Sequence, residues 1–266
     1  MSGSGSPDVL TVAWAFAALL FLLSFWSPAR QGSHAAMGGT LILAAATLYS
    51  VDVVNMPEVV GATVIGTAMG FGLARESPSR ALPRLLAALA GSVGLAAIAM
   101  MLAIDRNPFA FGLIAEGADK VAPVKALAVS LGAMLGSAAS GGAATLLLDR
   151  AAARSPLFFC LLLVTAGVSA AMFVRSGQSL WLWASVAFAG VAGVLIGRRL
   201  VGHGLSALLA MTAGLGGWSV VATALLLENM GLAIAGGLAG SAGGVAALRL
   251  CRAASRKGLA HAQRRP

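Results

Sequence analysis

The chain has 266 residues, of which 59% are hydrophobic and 10% charged, and its mean hydropathy is +0.90. A soluble globular chain carries about 25% charged residues, so this composition excludes a water-soluble enzyme domain. The 34 Gly beside only 9 Pro also exclude a collagen-like or disordered chain. The formal net charge of +9 does not signal nucleic-acid binding, because the basic residues lie between apolar runs and in the C-terminal tail, where the positive-inside rule places them.

Runs of about 20 apolar residues are long enough to cross a bilayer as helices. Nine are predicted, at 9–26, 36–51, 56–74, 82–104, 122–148, 156–174, 178–197, 204–227 and 230–250. They define an all-α integral membrane protein with a single transmembrane domain over 1–250 and a basic tail over 251–266. Met1 to Pro7 carries no basic residue, so a cleavable signal peptide is not expected. Fourteen Lys and Arg fall on the side holding Arg30, Arg84, Arg150, Arg198 and the tail, and four on the other, namely Arg106, Lys120, Lys125 and Arg175. This predicts an N-terminus outside and a C-terminus in the cytoplasm. Seven of the nine acids, among them Asp105, Glu116, Asp119 and Glu228, then lie outside.

Small residues recur at four-residue spacing: Ala62, Gly66 and Gly70; Gly132, Gly136 and Ser140; Gly236, Gly240 and Gly244. Such runs let helix backbones approach in lipid, and three of them predict a compact bundle. The sequence also repeats itself. An offset of 123 superposes Gly70, Arg75, Leu82, Gly91 and Gly94 on Gly193, Arg198, Leu205, Gly214 and Gly217. An offset of 104 superposes Gly132, Gly136 and Ser137 on Gly236, Gly240 and Ser241. The matched helices are an even number of spans apart, so the repeat is parallel.

Proton pumps and ion carriers place ionisable residues inside their spans, and here all nine acids lie at ends or in loops. His34, His203 and His261 sit in a loop, at a helix entrance and in the tail. The intramembrane polar groups are hydroxyls: Ser92, Thr145, Ser169, Thr212, Ser219, Thr223 and Ser241. Hydroxyls of this kind bond back to their own helix or tie neighbouring helices together. Neither a GxGxxG turn nor a Walker A motif is present. Trp26, Trp181 and Trp183 read as interface anchors. Cys160 and Cys251 lack metal-ligand spacing and are not expected to pair. The connection from Asp105 to Lys125 is the one long outside loop, and Phe109, Phe111, Leu113 and Ile114 make it apolar.

Several local sequences run together in a familiar order: Arg30-Gln31-Gly32 after the first span, Leu82-Pro83 and Val93-Gly94-Leu95-Ala96-Ala97 in the fourth, and Gly217-Trp218 in the eighth. They end with GGLAGSAG from Gly236 to Gly243, then Cys251-Arg252-Ala253 and Arg256. In these the chain resembles the membrane domain of the β subunit of proton-translocating NAD(P) transhydrogenase. The resemblance implies nine helices in the orientation derived above. It also exposes departures. The family's proton-path His falls at Ala90 and its Asn in the eighth helix at Ala213, while a Glu and a further acid fall at Arg84 and Gly204. Ala has no titratable or hydrogen-bonding side chain. The family's NADP(H)-binding domain follows the ninth helix, whereas this sequence ends about fifteen residues beyond Cys251.

The expectation is therefore a non-catalytic, transhydrogenase-like accessory or scaffolding subunit of a respiratory or photosynthetic complex in the bacterial inner membrane. No catalytic residue, metal or cofactor is expected. Its expected partners are other integral membrane subunits, with lipid or quinone as further ligands, and neither nucleic acid nor NAD(P)(H). The alternatives are the proton-channel component of a split transhydrogenase and a small-molecule or lipid transporter.

Overall fold

The structure is a computed structural model that describes residues 9–26, 35, 37–42, 45–46, 61, 64–66, 68, 72, 75, 82–114, 121–146, 156–202 and 204–262. Seven helices are delimited: α1 Val9–Trp26, α2 Leu82–Arg106, α3 Pro123–Ala144, α4 Pro156–Ser176, α5 Ser179–Val201, α6 Leu205–Leu226 and α7 Met230–Ala262. There is no strand among the described residues. Six of the helices, α2 to α7, are long and apolar enough to cross a membrane. Their bounds follow the predicted fourth to ninth spans closely. The predicted second and third spans, 36–51 and 56–74, lie largely outside the described residues, and the residues that are described there are helical. The ninth departs from its predicted end, since α7 continues through the basic segment to Ala262. Ala, Arg and Lys are strong helix formers, and cations near a helix C-terminus meet the negative end of its dipole.

Local chemistry sets the helix ends. Pro123 occupies the first turn of α3, where its missing N–H costs nothing. Gly177 closes α4 at φ 67°, its N–H donating to the Phe173 carbonyl at 2.7 Å. Gly204 opens α6 at φ 115° and ψ 149°, a conformation open essentially only to glycine. Asn229 caps α7, its Oδ1 accepting the Leu232 N–H at 3.0 Å.

The chain divides into two compact units. The first comprises Met1–Glu76 with Asn229–Ala235. In it Ala17 of α1 is fully buried and Leu20 lies against Gly38.

The second unit comprises Ser77–Glu228 with Gly236–Pro266 and is organised around α3. This helix packs against α2, α4, α5 and α6. Of its span 56% is buried, against 17–44% for the others. The reason is its composition, since every buried residue of α3 except Val129 is Ala, Gly or Ser. Large apolar side chains take the opposite place: Leu131, Leu161, Val164, Val168, Leu225 and Leu248 are exposed. Lipid is as apolar as leucine, so burying large side chains gains little there, and close backbone packing of small ones holds the helices together. One larger cluster closes an end of the bundle, where Met101, Ile104, Leu113, Phe173, Leu182 and Leu226 pack.

Glycine makes the seams. A Cβ on Gly136 would stand 2.7 Å from the Gly94 carbonyl oxygen, and one on Gly91 would stand 2.5 Å from the Ala143 Cβ. Across α3 and α5 the backbones meet at Gly141 and Gly190, and at Gly193 and Ala138. Across α6 and α7, Gly214 meets Gly243 and Gly244, and Gly217 meets Gly236 and Gly240. Of the glycines singled out in sequence, Gly132, Gly136, Gly236 and Gly240 lie in such contacts. Gly66 and Gly244 point their missing Cβ into open space, although the Gly244 nitrogen itself lies 2.9 Å from where a Gly214 Cβ would be. Gly70 lies outside the described residues.

Candidate functional site

Positions that the resemblance marks as a proton path fall on α2 and α6, two helices in contact. Ala90 is half-buried on α2. A Cβ on Gly216 of α6 would point toward Val93 at 3.9 Å and toward the Ala90 carbonyl at 4.0 Å, so position 90 borders the α2–α6 seam. Ala213, one turn before Gly216, is exposed rather than buried. Gly204 is exposed at the start of α6. Its positive φ gives the position a backbone reason for glycine, since an acid there would be strained. The Arg84 side chain lies outside the described residues.

The hydroxyls are satisfied locally. Ser130, Ser185, Thr212 and Ser219 are fully buried. They donate to the carbonyls of Leu127 at 2.9 Å, Leu182 at 2.8 Å, Leu209 at 3.0 Å and Gly216 at 2.7 Å, each within its own helix. Ser92 and Ser241 are exposed and bond to Leu89 and Leu238 in the same manner. Thr212 directs its methyl at Gly142 of α3. Of Ser92, Thr212 and Ser241 only Thr212 is buried, and each of the three donates to its own helix. One hydroxyl differs: Ser137 of α3 donates across the seam to the Val186 carbonyl of α5 at 2.6 Å. The sequence contained a signal for it, because Ser137 follows Gly136 within the repeated Gly-Ser pair, yet it was not among the polar groups singled out.

Charge collects at the ends of the helices. Arg199 places its guanidinium 5.9 Å from the centre of the Phe159 ring. Arg198 holds a buried Nε, and Asp105 a buried Oδ2, without a hydrogen-bond partner. No cluster of His, Cys, Asp or Glu able to hold a metal occurs among the described residues. Neither Cys160 nor Cys251 is joined in a disulfide. Trp183 is exposed, as an interface anchor would be, whereas Trp181 is partly buried against the large-residue cluster. Trp218 lays its indole over Gly240, where a Cβ would come within 2.9 Å of the ring. Trp26, His34, His203 and His261 have side chains outside the described residues.

Six apolar helices with small residues inside and large ones outside define a multi-pass helical membrane protein. Residues 8–260 match the family described as NAD(P) transhydrogenase beta subunit. The chain belongs to that family. Two sequences named NAD(P) transhydrogenase subunit beta, both from Rhodospirillum rubrum, are each 27% identical to it over 258 residues. The match covers 92% of this chain and 55% of each relative, so the chain spans about half the length of the curated relatives it matches.

Proposed function

We propose that this chain is a non-conducting member of the transhydrogenase β family, a membrane scaffold that binds other integral subunits of a bioenergetic complex. The observation that carries the reading is the state of position 90. Where the resemblance places a proton-carrying His the residue is Ala90, half-buried, with its carbonyl bordering the α2–α6 seam at Gly216. Its neighbours Gly91 and Gly94 press α2 onto α3 too closely for even an added methyl. The nearby hydroxyls donate to backbone carbonyls of their own helices. Such an arrangement offers a proton no titratable stop and suits a body whose surface, not its interior, is used. Its proposed location is the bacterial inner membrane, with the tail in the cytoplasm.

A second reading is the proton-channel component of a transhydrogenase, which family membership itself favours. Reconstitution separates the two. Purified chain in proteoliposomes holding a pH-sensitive dye should leak protons no faster than empty liposomes. It should stay so when the soluble nucleotide-binding parts of a transhydrogenase are added with their substrates. Nucleotide-dependent flux would refute the scaffold reading and establish the channel reading. In native membranes solubilised with a mild detergent, the scaffold should co-purify with other integral membrane subunits in fixed ratio.

A further inference from the structure

We propose that the apolar groove between α5, α6 and α7 holds one acyl chain of an anionic phospholipid, whose phosphate meets Arg249 and Arg252 where α7 leaves the bilayer. The groove has a volume of about 350 Å³, and no charged residue lines it. It reaches from Trp218 and Gly240 to Leu200 and Cys251, which stand in the last turns of α5 and of the apolar span of α7. The chain does not fill it from within, since a Cβ on Gly244, which also lines the groove, would meet nothing within 4 Å. At about 1.5 Å per residue, Gly240 to Cys251 spans about 16 Å. The volume spread over that length leaves about 20 Å² in section, too little for a helix about 10 Å across and enough for a single hydrocarbon chain.

Charge at the end of the groove selects the lipid. Arg249 and Arg252 stand on either side of Cys251 along α7, and both are exposed. The helix runs on through Arg256 and Lys257. Four cations within nine residues, at the point where a helix leaves the membrane, form the kind of cluster that attracts anionic lipid. Arginine stems lie along apolar surface and carry the guanidinium to the level of the headgroups, where its planar fork matches a phosphate. Beside Leu200, Arg199 holds its guanidinium over the Phe159 ring and adds positive charge at the same level. The described acids, Asp105 and Glu228, follow Ile104 and Leu226 at the opposite end of the bundle, where the large-residue cluster packs. A net positive mouth above an apolar groove one chain wide complements a lipid whose headgroup carries a phosphate and no cation of its own.

The test uses the full chain in mild detergent, and its readout, bound lipid, is independent of proton flux. Native mass spectrometry is run with phosphatidylglycerol, phosphatidylethanolamine and phosphatidylcholine of matched acyl chains. Only the first has a net negative charge. One cation at an anionic surface raises affinity about fivefold, so phosphatidylglycerol should be retained at least about fivefold over the other two. Arg249→Gln combined with Arg252→Gln should bring the three lipids level. Arg175→Gln, at an exposed cation in the last turn of α4, should keep the preference. Gly244→Leu sends a side chain into the groove, where space is open for it, and should lower phosphatidylglycerol retention severalfold with both arginines in place. Equal retention of the three lipids by the wild type overturns the proposal, and so does a preference that survives the arginine pair. Unchanged retention in Gly244→Leu would put the lipid on the basic tail alone and refute the groove. If that variant, purified from native membranes, loses a protein subunit while its bound lipid is unaltered, the groove belongs to a partner's helix and the proposal fails. Should Gly244→Leu not fold, Ala247→Leu fills the same groove and is read in the same way.

Discussion

The α2–α3 seam can be tested with a single methyl group. In Gly136→Ala the new Cβ would stand 2.7 Å from the Gly94 carbonyl oxygen and 3.2 Å from the Ala97 Cβ. Ordinary carbon–oxygen contacts lie at about 3.3–3.6 Å, so the helices must part by about 0.6–0.9 Å. The obstacle is backbone, which cannot swing aside as a flexible side chain would. Overpacking of this kind costs about 1–3 kcal/mol. Against it stands the gain of about 1 kcal/mol from replacing a helical Gly by Ala. Gly167→Ala isolates that gain, because a Cβ at Gly167 meets nothing within 4 Å and the residue lies on the exposed face of α4. The difference between the two variants is the strain alone. At about 2 kcal/mol it corresponds to a gap of about 4–8 °C in melting temperature. Thermal unfolding in detergent, followed by the loss of monodisperse protein on gel filtration, measures it. Gly94→Ala should behave like Gly136→Ala, since the two glycines face each other, and the double variant should cost less than the sum because the helices have already parted. Melting of Gly136→Ala and Gly167→Ala within about 1 °C of each other would refute the account of the seam.

Ser137→Ala removes the bond to the Val186 carbonyl and should lower stability by about 0.5–1.5 kcal/mol. Ser219→Ala, whose hydroxyl serves only its own helix, should change it by far less when both are melted in the same detergent. Gly204→Asp restores an acid where the resemblance expects one, yet should destabilise by about 1–3 kcal/mol through its backbone at φ 115°, and a melting temperature equal to wild type would contradict the strain. Ala90→His with Ala213→Asn should not restore transhydrogenation. Because only position 90 is partly buried, Ala90→His alone should account for nearly all the thermal loss of the pair. In a chain with Cys160 and Cys251 replaced by Ala, an impermeant thiol reagent added to intact spheroplasts should label Asn107→Cys and spare Arg252→Cys, and the reverse pattern would invert the predicted orientation.

What was legible in the sequence was whatever hydropathy and length decide. Apart from the end of α7, the described helices begin and end within a few residues of the predicted spans, and Pro123, Gly177 and Gly204 punctuate the apolar runs. The α7 end was missed for a physical reason: loss of hydropathy marks where lipid ends, not where a helix ends, and Ala253, Ala254 and Arg256 continue it comfortably. The candidate site was less legible. Four-residue spacing found Gly132 and Gly136 but not Gly141, Gly190 or Gly197, which also sit in seams. Spacing along one helix is silent about which neighbour a face will meet. Asp105 was read as one more outside acid, because nothing in sequence says that one of its oxygens is enclosed.

The internal repeat carries furthest, because the structure supplies the contacts that explain it. The two offsets, 123 and 104, map helix α2 onto α6 and helix α3 onto α7. Both hairpins are sealed by the mapped glycines: Gly91 and Gly94 against Gly136 and Ser140 in one, Gly214 and Gly217 against Gly236, Gly240 and Gly244 in the other. The faces are the same, but the register is not. Gly136 meets the Gly94 carbonyl, whereas its counterpart Gly240 meets the Trp218 ring, and it is Gly236, one turn earlier, that meets the Gly217 carbonyl. The residue that the repeat sets opposite Trp218 is Leu95, which is 60% exposed. Trp218, itself 47% exposed, differs in laying its indole over Gly240, which still meets Gly217 through its backbone nitrogen. Two halves that share a sequence pattern thus pack in two registers, one helical turn apart. Serines at matched positions have separate roles as well: Ser137 is buried and ties α3 to α5, and Ser241 is exposed and bonds within its own helix.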